Sequence, residues 1–212
     1  MFRLPGTLLM ALMVGSAGCG SATVSSSGKP ASAKWVGPTM PGPGGGTVRT
    51  VIYYGPWQCN ARYMSQCERR CASEGHALLG CIWLADLKGD WQGRFAFLPA
   101  EAGGYLAFKH CCCDYSTVSD VQSRRRTWNN AREGFRNQWG RELGAWPQTD
   151  GNNWPGHHIF DLLHGGDPTA RGNVLPVPPE VHEVINLAYP ACYTRGGEWS
   201  VVGPDRPYVE SP

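Results

Sequence analysis

The sequence predicts an α+β fold in which a cysteine-rich mixed region is followed by a helix and then by a hairpin–helix unit. Three observations support this prediction. Seven of the nine cysteines fall between Cys59 and Cys113. A stretch rich in arginine and tryptophan, residues 123–146, has helical periodicity. After it, residues 154–186 contain turn signals, short apolar runs and a helix start, in that order.

Length, charge and cysteine content limit the classes of protein to consider. With 212 residues the chain can hold one medium domain or two small ones. The formal net charge is only +2, so any case for a nucleic-acid partner depends on how charge is distributed. The cysteine content indicates an oxidising compartment. Because nine is an odd number, one thiol needs an explanation other than pairing.

Residues 1–18 are typical of an export signal. Arg3 precedes a short apolar run over residues 8–14, well below the about 20 apolar residues of a membrane span. Small residues then end directly at Cys19, as in a bacterial lipobox, although Ser16 stands where an aliphatic residue is usual. We therefore expect a lipoprotein signal peptide and a lipid on Cys19. The alternative is an ordinary cleaved signal with a free Cys19.

Residues 19–47 are rich in Gly, Ser, Pro and Ala, a composition that predicts a flexible tether. Ordered sequence begins near Thr47, where the β-branched and aromatic run TVRTVIYYG predicts a strand. Alternation over residues 93–97 and 105–108 predicts further strands. These elements would form a disulfide-rich region over residues 48–118.

The cysteines beyond Cys19 are predicted to pair as disulfides. Zinc-knuckle CxxC pairs are missing, and export argues against reduced thiols, so a metal site is disfavoured. Connectivity cannot be read from the sequence, but Cys192 lies so far along the chain that a bridge could join the two halves. The candidates are Cys59, Cys67, Cys71, Cys81, Cys111, Cys112, Cys113 and Cys192.

Residues 123–146 predict a helix with two different faces. Its large aromatic residues recur close to one face, which predicts a stripe that packs on the core: Trp128, Phe135, Trp139 and Trp146. Arginines on the remaining surface could contact phosphates without sequence preference, or could simply be solvated. The histidine segment that follows favours phosphate contact. The predicted nucleic-acid-binding residues are Arg124, Arg125, Arg126, Arg132 and Arg136.

Residues 154–186 hold the side chains that best suit a chemical role. A Pro-Gly turn precedes His157 and His158, which can follow as a short strand with side chains on opposite faces. A Gly-Gly turn then precedes Asn173 and a return strand. Residues 178–180, Pro-Pro-Glu, favour a helix start, and His182 and Asn186 would share one face of that helix.

In this order the residues resemble the His-Me finger, or HNH, nuclease superfamily, whose core is a ββα unit around a divalent metal ion. The resemblance implies that His157 and His182 are metal ligands and that His158 is the general base that activates water. It implies that Asn173 holds the ring of that base, and it places Asn186 where many members have a third ligand. The metal would be one divalent ion, with Mg, Mn, Zn and Ni as candidates. His164 matches no position of the motif.

The whole chain resembles the SitA family of polymorphic lipoprotein toxins, because a lipobox, a tether, a cysteine-rich middle and a nuclease-like end follow one another. This resemblance implies a toxin domain over residues 119–212 and a lipid anchor through Cys19 at the cell envelope, with the outer membrane as the expected location. It also implies delivery into neighbouring cells and a cognate immunity protein. The histidine–asparagine set beside the arginine-rich helix predicts a metal-dependent nuclease of low sequence specificity, with DNA favoured over RNA as substrate. The alternative is a non-enzymatic, disulfide-stapled surface lipoprotein that acts as a binding or structural module.

Overall fold

The computed structural model describes residues 33–41, 47–88 and 106–208. Within these ranges the chain is α+β, as predicted, with three α-helices and short two-stranded sheets beside one larger sheet. The predicted signal peptide, Cys19, much of the tether and the strand expected over residues 93–97 lie outside the described residues. No helix in the described part of the chain combines the length and the apolar character needed to cross a bilayer.

A four-stranded antiparallel sheet forms the first half of the described chain. Its strands lie side by side in sequence order: β1 (Ala33–Pro41), β2 (Thr47–Gln58), β3 (Leu78–Lys88) and β4 (Leu106–Cys113). Strand β1 falls inside the segment predicted to be a flexible tether, so that prediction is wrong for residues 33–41. Backbone pairing with β2, joined by packing of Trp35 on the core, orders this segment despite its composition.

Helix α1 (Ala61–Ser73) connects β2 to β3 and packs on one face of the sheet. Asn60 caps its first turn, where the side-chain oxygen accepts a hydrogen bond of 2.9 Å from the backbone amide of Tyr63. The buried side of α1 includes Cys67 and Cys71, one helical turn apart. Both cysteines therefore face the sheet.

Four disulfides pair all the predicted cysteines, which confirms the predicted disulfide bonding. They are Cys59–Cys81, Cys67–Cys111, Cys71–Cys113 and Cys112–Cys192. Successive residues of a strand point to opposite faces, so the triple at the end of β4 divides between the two sides of the sheet. Cys111 and Cys113 bond to α1, whereas Cys112 bonds to the C-terminal half.

The second half of the described chain contains the predicted helix and the predicted hairpin followed by a helix. Its elements are α2 (Val121–Leu143), β5 (Gln148–Thr149), β6 (Asn152–Asn153), β7 (Gly156–His158), β8 (Val174–Pro176) and α3 (Pro179–Cys192). Strands β7 and β8 pair antiparallel, with His157 opposite Leu175 and His158 opposite Val174. Pro179 stands in the first turn of α3, where its missing amide proton costs no helical hydrogen bond.

One hydrophobic core joins the sheet to the C-terminal half. Helix α3 packs against β2 and β3 on the face of the sheet opposite α1. Ile52 and Phe108 of the sheet belong to the same buried cluster as Phe135 and Trp139 of α2, so the aromatic stripe of α2 faces the core as predicted. The shared core and the Cys112–Cys192 bridge therefore hold the β7–β8 hairpin and α3 against the disulfide-rich half.

Candidate functional site

A cleft of about 430 Å³ lies where the β7–β8 hairpin meets α3. Strand β7 contributes His157 and His158, and α3 contributes His182 and Asn186. Arg125 of α2 also lines the cleft. The fold therefore brings the two predicted metal-ligand imidazoles, the predicted base and one predicted phosphate-binding arginine to a single surface.

His157 is the buried member of the histidine pair, with only 4% of its surface exposed. Its ring centroid lies 5.4 Å from that of His182, and its Nε2 lies 2.7 Å from the hydroxyl oxygen of Tyr189. Burial lowers the pKa of His157 well below its ordinary value, and the neighbouring histidines lower it further, His182 most. The imidazole is therefore neutral near pH 7, which is the form that binds a metal ion.

Tyr189 determines which nitrogen of His157 is free. The hydroxyl oxygen also lies 3.0 Å from the carbonyl oxygen of Ile159 and 3.3 Å from that of His158. A carbonyl only accepts hydrogen bonds, so the tyrosine proton points to one of these oxygens and the hydroxyl oxygen accepts the Nε2 proton of His157. This hydrogen-bond network assigns the lone pair of His157 to Nδ1.

His158 points to the other side of β7, as the alternation of a strand requires. Its Nε2 donates a hydrogen bond of 3.0 Å to the carbonyl oxygen of Pro168, and the ring of Trp128 packs edge-on at a centroid distance of 5.2 Å. Burial lowers the pKa of His158, and the bond to Pro168 opposes that shift. Because Nε2 carries the proton, the lone pair is on Nδ1, the ring nitrogen that could accept a proton from water.

Asn173 braces the hairpin loop rather than an imidazole ring. Its Oδ1 accepts a hydrogen bond of 2.7 Å from the amide of Phe160, while Nδ2 donates to the carbonyl oxygens of Phe160 at 3.0 Å and Asp167 at 2.8 Å. The expectation that Asn173 holds the His158 ring directly is therefore corrected. Pro168, the neighbour of Asp167, holds the ring, so Asn173 acts on His158 through the loop.

The Gly165–Gly166 turn closes the same loop. A Cβ atom on Gly166 would lie 1.9 Å from the carbonyl oxygen of Phe160, so only glycine fits there. Arg124 donates to the carbonyl oxygens of Gly165 at 3.1 Å and Gly166 at 3.3 Å, and its Nε lies 2.9 Å from the carboxylate of Asp120. The guanidinium of Arg124 is thus used to hold α2 on the turn, which differs from the phosphate contact predicted for it.

His182 and Asn186 lie one turn apart on α3. The amide nitrogen of Asn186 lies 3.2 Å from Nδ1 of His182. Burial lowers the pKa of His182, and the charge of Glu183 opposes that shift. The ring is thus neutral near pH 7, as a ligand must be.

Two imidazoles and one amide in the cleft are the side chains that could hold a metal ion. Across the described ranges, no group of three or more His, Cys, Asp or Glu side chains is arranged to hold a metal ion. His157 and His182 offer two neutral imidazoles, with Asn186 beside them as an amide ligand. An ion held by these three side chains would keep positions open for water or another ligand.

A second set of polar side chains in the cleft was not predicted from the sequence. The hydroxyl of Tyr193 donates a hydrogen bond of 2.7 Å to Asp161, and Nδ1 of His164 lies 3.0 Å from both oxygens of that carboxylate. His164, which matches no motif position, therefore lies in the cleft through its pairing with Asp161. Asp161 and Tyr193 stand outside the motif, so the sequence contained little sign that they belong to the site.

His110 of β4 lies directly behind this set. It is fully buried, with Nδ1 2.6 Å from the carbonyl oxygen of Ile159 and Nε2 2.9 Å from the hydroxyl of Tyr193. Burial lowers the pKa of His110 to about 4, and the nearby charge of Asp161 opposes that shift. A lone histidine between Lys109 and the cysteine triple was the only sign of it in the sequence.

The arginines of α2 divide between two surfaces. Arg125 lines the histidine cleft. Arg132 and Arg136 line a separate groove, together with Arg141. Arg126 is exposed. The predicted phosphate-binding set is thus distributed along the helix rather than gathered at the histidines.

Comparisons of the chain with protein families, with curated proteins and with solved structures found no match in any of the three. A function must therefore be argued from the geometry and chemistry of the site, since a fold alone does not determine one.

Proposed function

We propose that this chain is a metal-dependent nuclease of the His-Me finger type. The arrangement that supports this proposal most strongly is the cleft in which His158, with a free Nδ1, lies beside His157 and His182. Hydrolysis of a phosphodiester needs a base for water and positive charge at the phosphate. His157 and His158 lie on opposite faces of β7. One imidazole can therefore bind the metal ion while the other acts as the base, and the two do not compete for one position.

In this proposal Nδ1 of His158 accepts the proton of the water that attacks phosphorus. His157 and His182, with Asn186 beside them, would hold a divalent ion, which would supply positive charge at the phosphate and the leaving oxygen. Arg125 lines the same cleft and can contact a phosphate oxygen. The hydrogen bond from His158 to Pro168 keeps the base in place.

The biological setting is proposed from the sequence. A lipobox ending at Cys19 and the resemblance to the SitA family support an exported, lipid-anchored toxin whose nuclease acts in neighbouring cells. Such a toxin needs a cognate immunity protein in the cell that makes it. DNA is the favoured substrate. Low sequence specificity is proposed because arginine contacts to phosphate carry no sequence information.

The test is the variant His158→Ala in the chain that begins at residue 20, purified with its disulfides formed. We expect it to lose about 100-fold or more of its cleavage rate on plasmid DNA, the usual contribution of a general base. The matched control is His76→Ala, because His76 bonds Asp114 and does not line the cleft. Both variants are compared with the unaltered chain in Mg, Mn, Zn and Ni, and their folding is checked by thermal unfolding.

Each outcome decides one part of the proposal. Full cleavage by folded His158→Ala would overturn the role of His158. Decay of RNA with intact DNA would replace DNA by RNA as the substrate. No cleavage of either nucleic acid by the unaltered chain in any of these metals would overturn the nuclease and favour the disulfide-stapled binding module.

A further inference from the structure

A second groove, of about 860 Å³, is lined by the C-terminal half of α2 and by the β5–β6 hairpin. It is separate from the histidine cleft, and the two share no lining residue. Amide side chains dominate its polar lining: Asn129, Asn130, Asn137, Gln148 and Asn153. Three arginines also line it, whereas Glu133 is its one acidic lining residue.

The arginines of this groove form an excess of positive charge. Among the described residues, no ion pair joins Arg132, Arg136 or Arg141 to a carboxylate. Arg136 is half-buried, its guanidinium lies 5.7 Å from the ring centre of Trp146, and its buried Nε has no hydrogen-bond partner. Burial and then the charge of Arg132 lower the pKa of Arg136. An anion placed in the groove would relieve the repulsion between Arg132 and Arg136.

The amides indicate which anion suits the groove. Arginine neutralises phosphates, and the side chains of Asn and Gln both donate and accept hydrogen bonds, as the edges of nucleic-acid bases do. An inorganic phosphate would leave most of these amides unused, since they extend from Asn129 to Asn137 of α2 and onto the hairpin. The lining therefore suits a nucleic-acid strand better than a small anion.

A single stripe connects the groove to the cleft. Arg125, Arg132 and Arg136 stand at helical spacing i, i+7 and i+11, so they lie on one face of α2. Arg125 lines the histidine cleft at one end, and Arg136 lines the groove about 16 Å further along the helix axis. That distance corresponds to about five base pairs of duplex, at about 3.4 Å for each.

We propose that this groove binds the nucleic-acid backbone on one side of the scissile phosphodiester, so that efficient cleavage needs a substrate that reaches both surfaces. The proposal rests on the nuclease function proposed for the histidine cleft. It adds a substrate-length requirement, because a short phosphodiester fills the cleft but cannot reach Arg132 and Arg136. The groove contributes to binding and takes no part in the chemical step.

The test uses the chain from residue 20 with Arg132→Gln and Arg136→Gln combined. Binding of a labelled duplex of about 30 base pairs, which is long enough to span both surfaces, is followed by fluorescence anisotropy in EDTA over a range of salt. We expect weaker binding and a plot of log affinity against log salt that is less steep by about 2, because two phosphate contacts are lost. Hydrolysis of bis(p-nitrophenyl) phosphate in the presence of metal should stay unchanged.

Two further variants test whether the change in salt slope comes from the groove. Arg62→Gln with Arg69→Gln removes equal charge from α1, on the opposite face of the sheet, and should leave the salt slope unchanged. Arg132→Gln alone, at an exposed position, replaces the double variant if the change at Arg136 prevents folding, and should lower the slope by about 1.

The two proposals fail in different ways. A salt slope unchanged by the groove substitutions, or an equal loss of rate on the duplex and on the small diester, would overturn the groove. Cleavage of neither substrate by the unaltered chain would instead overturn the nuclease itself.

Discussion

Removal of the Cys112–Cys192 disulfide should cost more stability than removal of Cys59–Cys81. The first bridge spans 80 residues of sequence and the second spans 22. No cysteine stands between residues 113 and 192, so no other bridge shortens the larger loop in the unfolded chain. The perturbation is the replacement of both cysteines of one pair by alanine, with the other three disulfides left in place.

The loop lengths set the expected magnitudes. The loss of chain entropy on closing a loop gives about 4.5 kcal/mol for the larger loop and about 3.4 kcal/mol for the smaller one. The four cysteines are all fully buried, so the cavities left by alanine should cost similar amounts and largely cancel in the comparison. The difference between the two variants should therefore be about 1 kcal/mol.

The assay is equilibrium urea unfolding of the two variants and the unaltered chain under non-reducing conditions. The m-value of the Cys112→Ala, Cys192→Ala variant should also rise, because its unfolded chain is less constrained and exposes more surface. If that variant were as stable as the Cys59→Ala, Cys81→Ala variant, or more stable, the loop-entropy reasoning would be refuted.

Two further predictions concern the residues around the cleft. The pKa of His110 is about 4 in the folded chain, against an ordinary value of 6.5. Below pH 6.5 the unfolded chain therefore binds more protons than the folded chain, and the free energy of unfolding should fall from there towards pH 4. In the His110→Gln variant this decrease in the free energy of unfolding, measured by urea titration at each pH, should be smaller by about 3 kcal/mol. An unchanged pH dependence would contradict the buried neutral state of His110. Gly166→Ala should cost about 1–3 kcal/mol in thermal unfolding, since its Cβ would meet the Phe160 carbonyl. Gly134→Ala, with open space at an exposed helix position, should stabilise by about 0.5–1 kcal/mol, and equal effects of the two would refute the steric argument.

Features that depend on local periodicity were predictable from the sequence. The aromatic spacing that predicted a core-facing stripe places Phe135 and Trp139 in the core, and Pro179 begins α3 as a proline at a helix start should. The β7–β8 hairpin also follows from short-range turn signals. These elements need only the conformational preferences of neighbouring residues.

Features that depend on distant partners were not predictable. The composition of β1 predicted a flexible tether because composition describes only the tendency of an isolated segment. In the fold, backbone pairing with β2 makes this segment a strand. Arg124 looked like a phosphate ligand because the sequence gives its charge but not the carbonyl groups of the Gly165–Gly166 turn. Local charge does not reveal whether a guanidinium is already engaged.

One long-range contact, the Cys112–Cys192 disulfide, would have been enough to predict where His110 lies. It stands two residues before Cys112 on β4, so alternation alone places both side chains on one face of the sheet. Cys112 bonds Cys192 of α3, and Tyr189 lies one turn before Cys192 on that helix. The disulfide thus sets α3 against β4 so that the Tyr189 ring stacks on His110 at a centroid distance of 4.3 Å.

The same disulfide therefore connects stability to the candidate site. Tyr189, which stacks on His110, presents its hydroxyl to Nε2 of His157 at 2.7 Å and so assigns the free nitrogen of that imidazole. Loss of the Cys112–Cys192 bridge would loosen the end of α3 that holds Tyr189, while His182 stands near the start of the same helix. The bridge from the disulfide-rich half is thus part of what holds the imidazoles of the cleft in position, and the two halves of the chain act as one structural unit at this site.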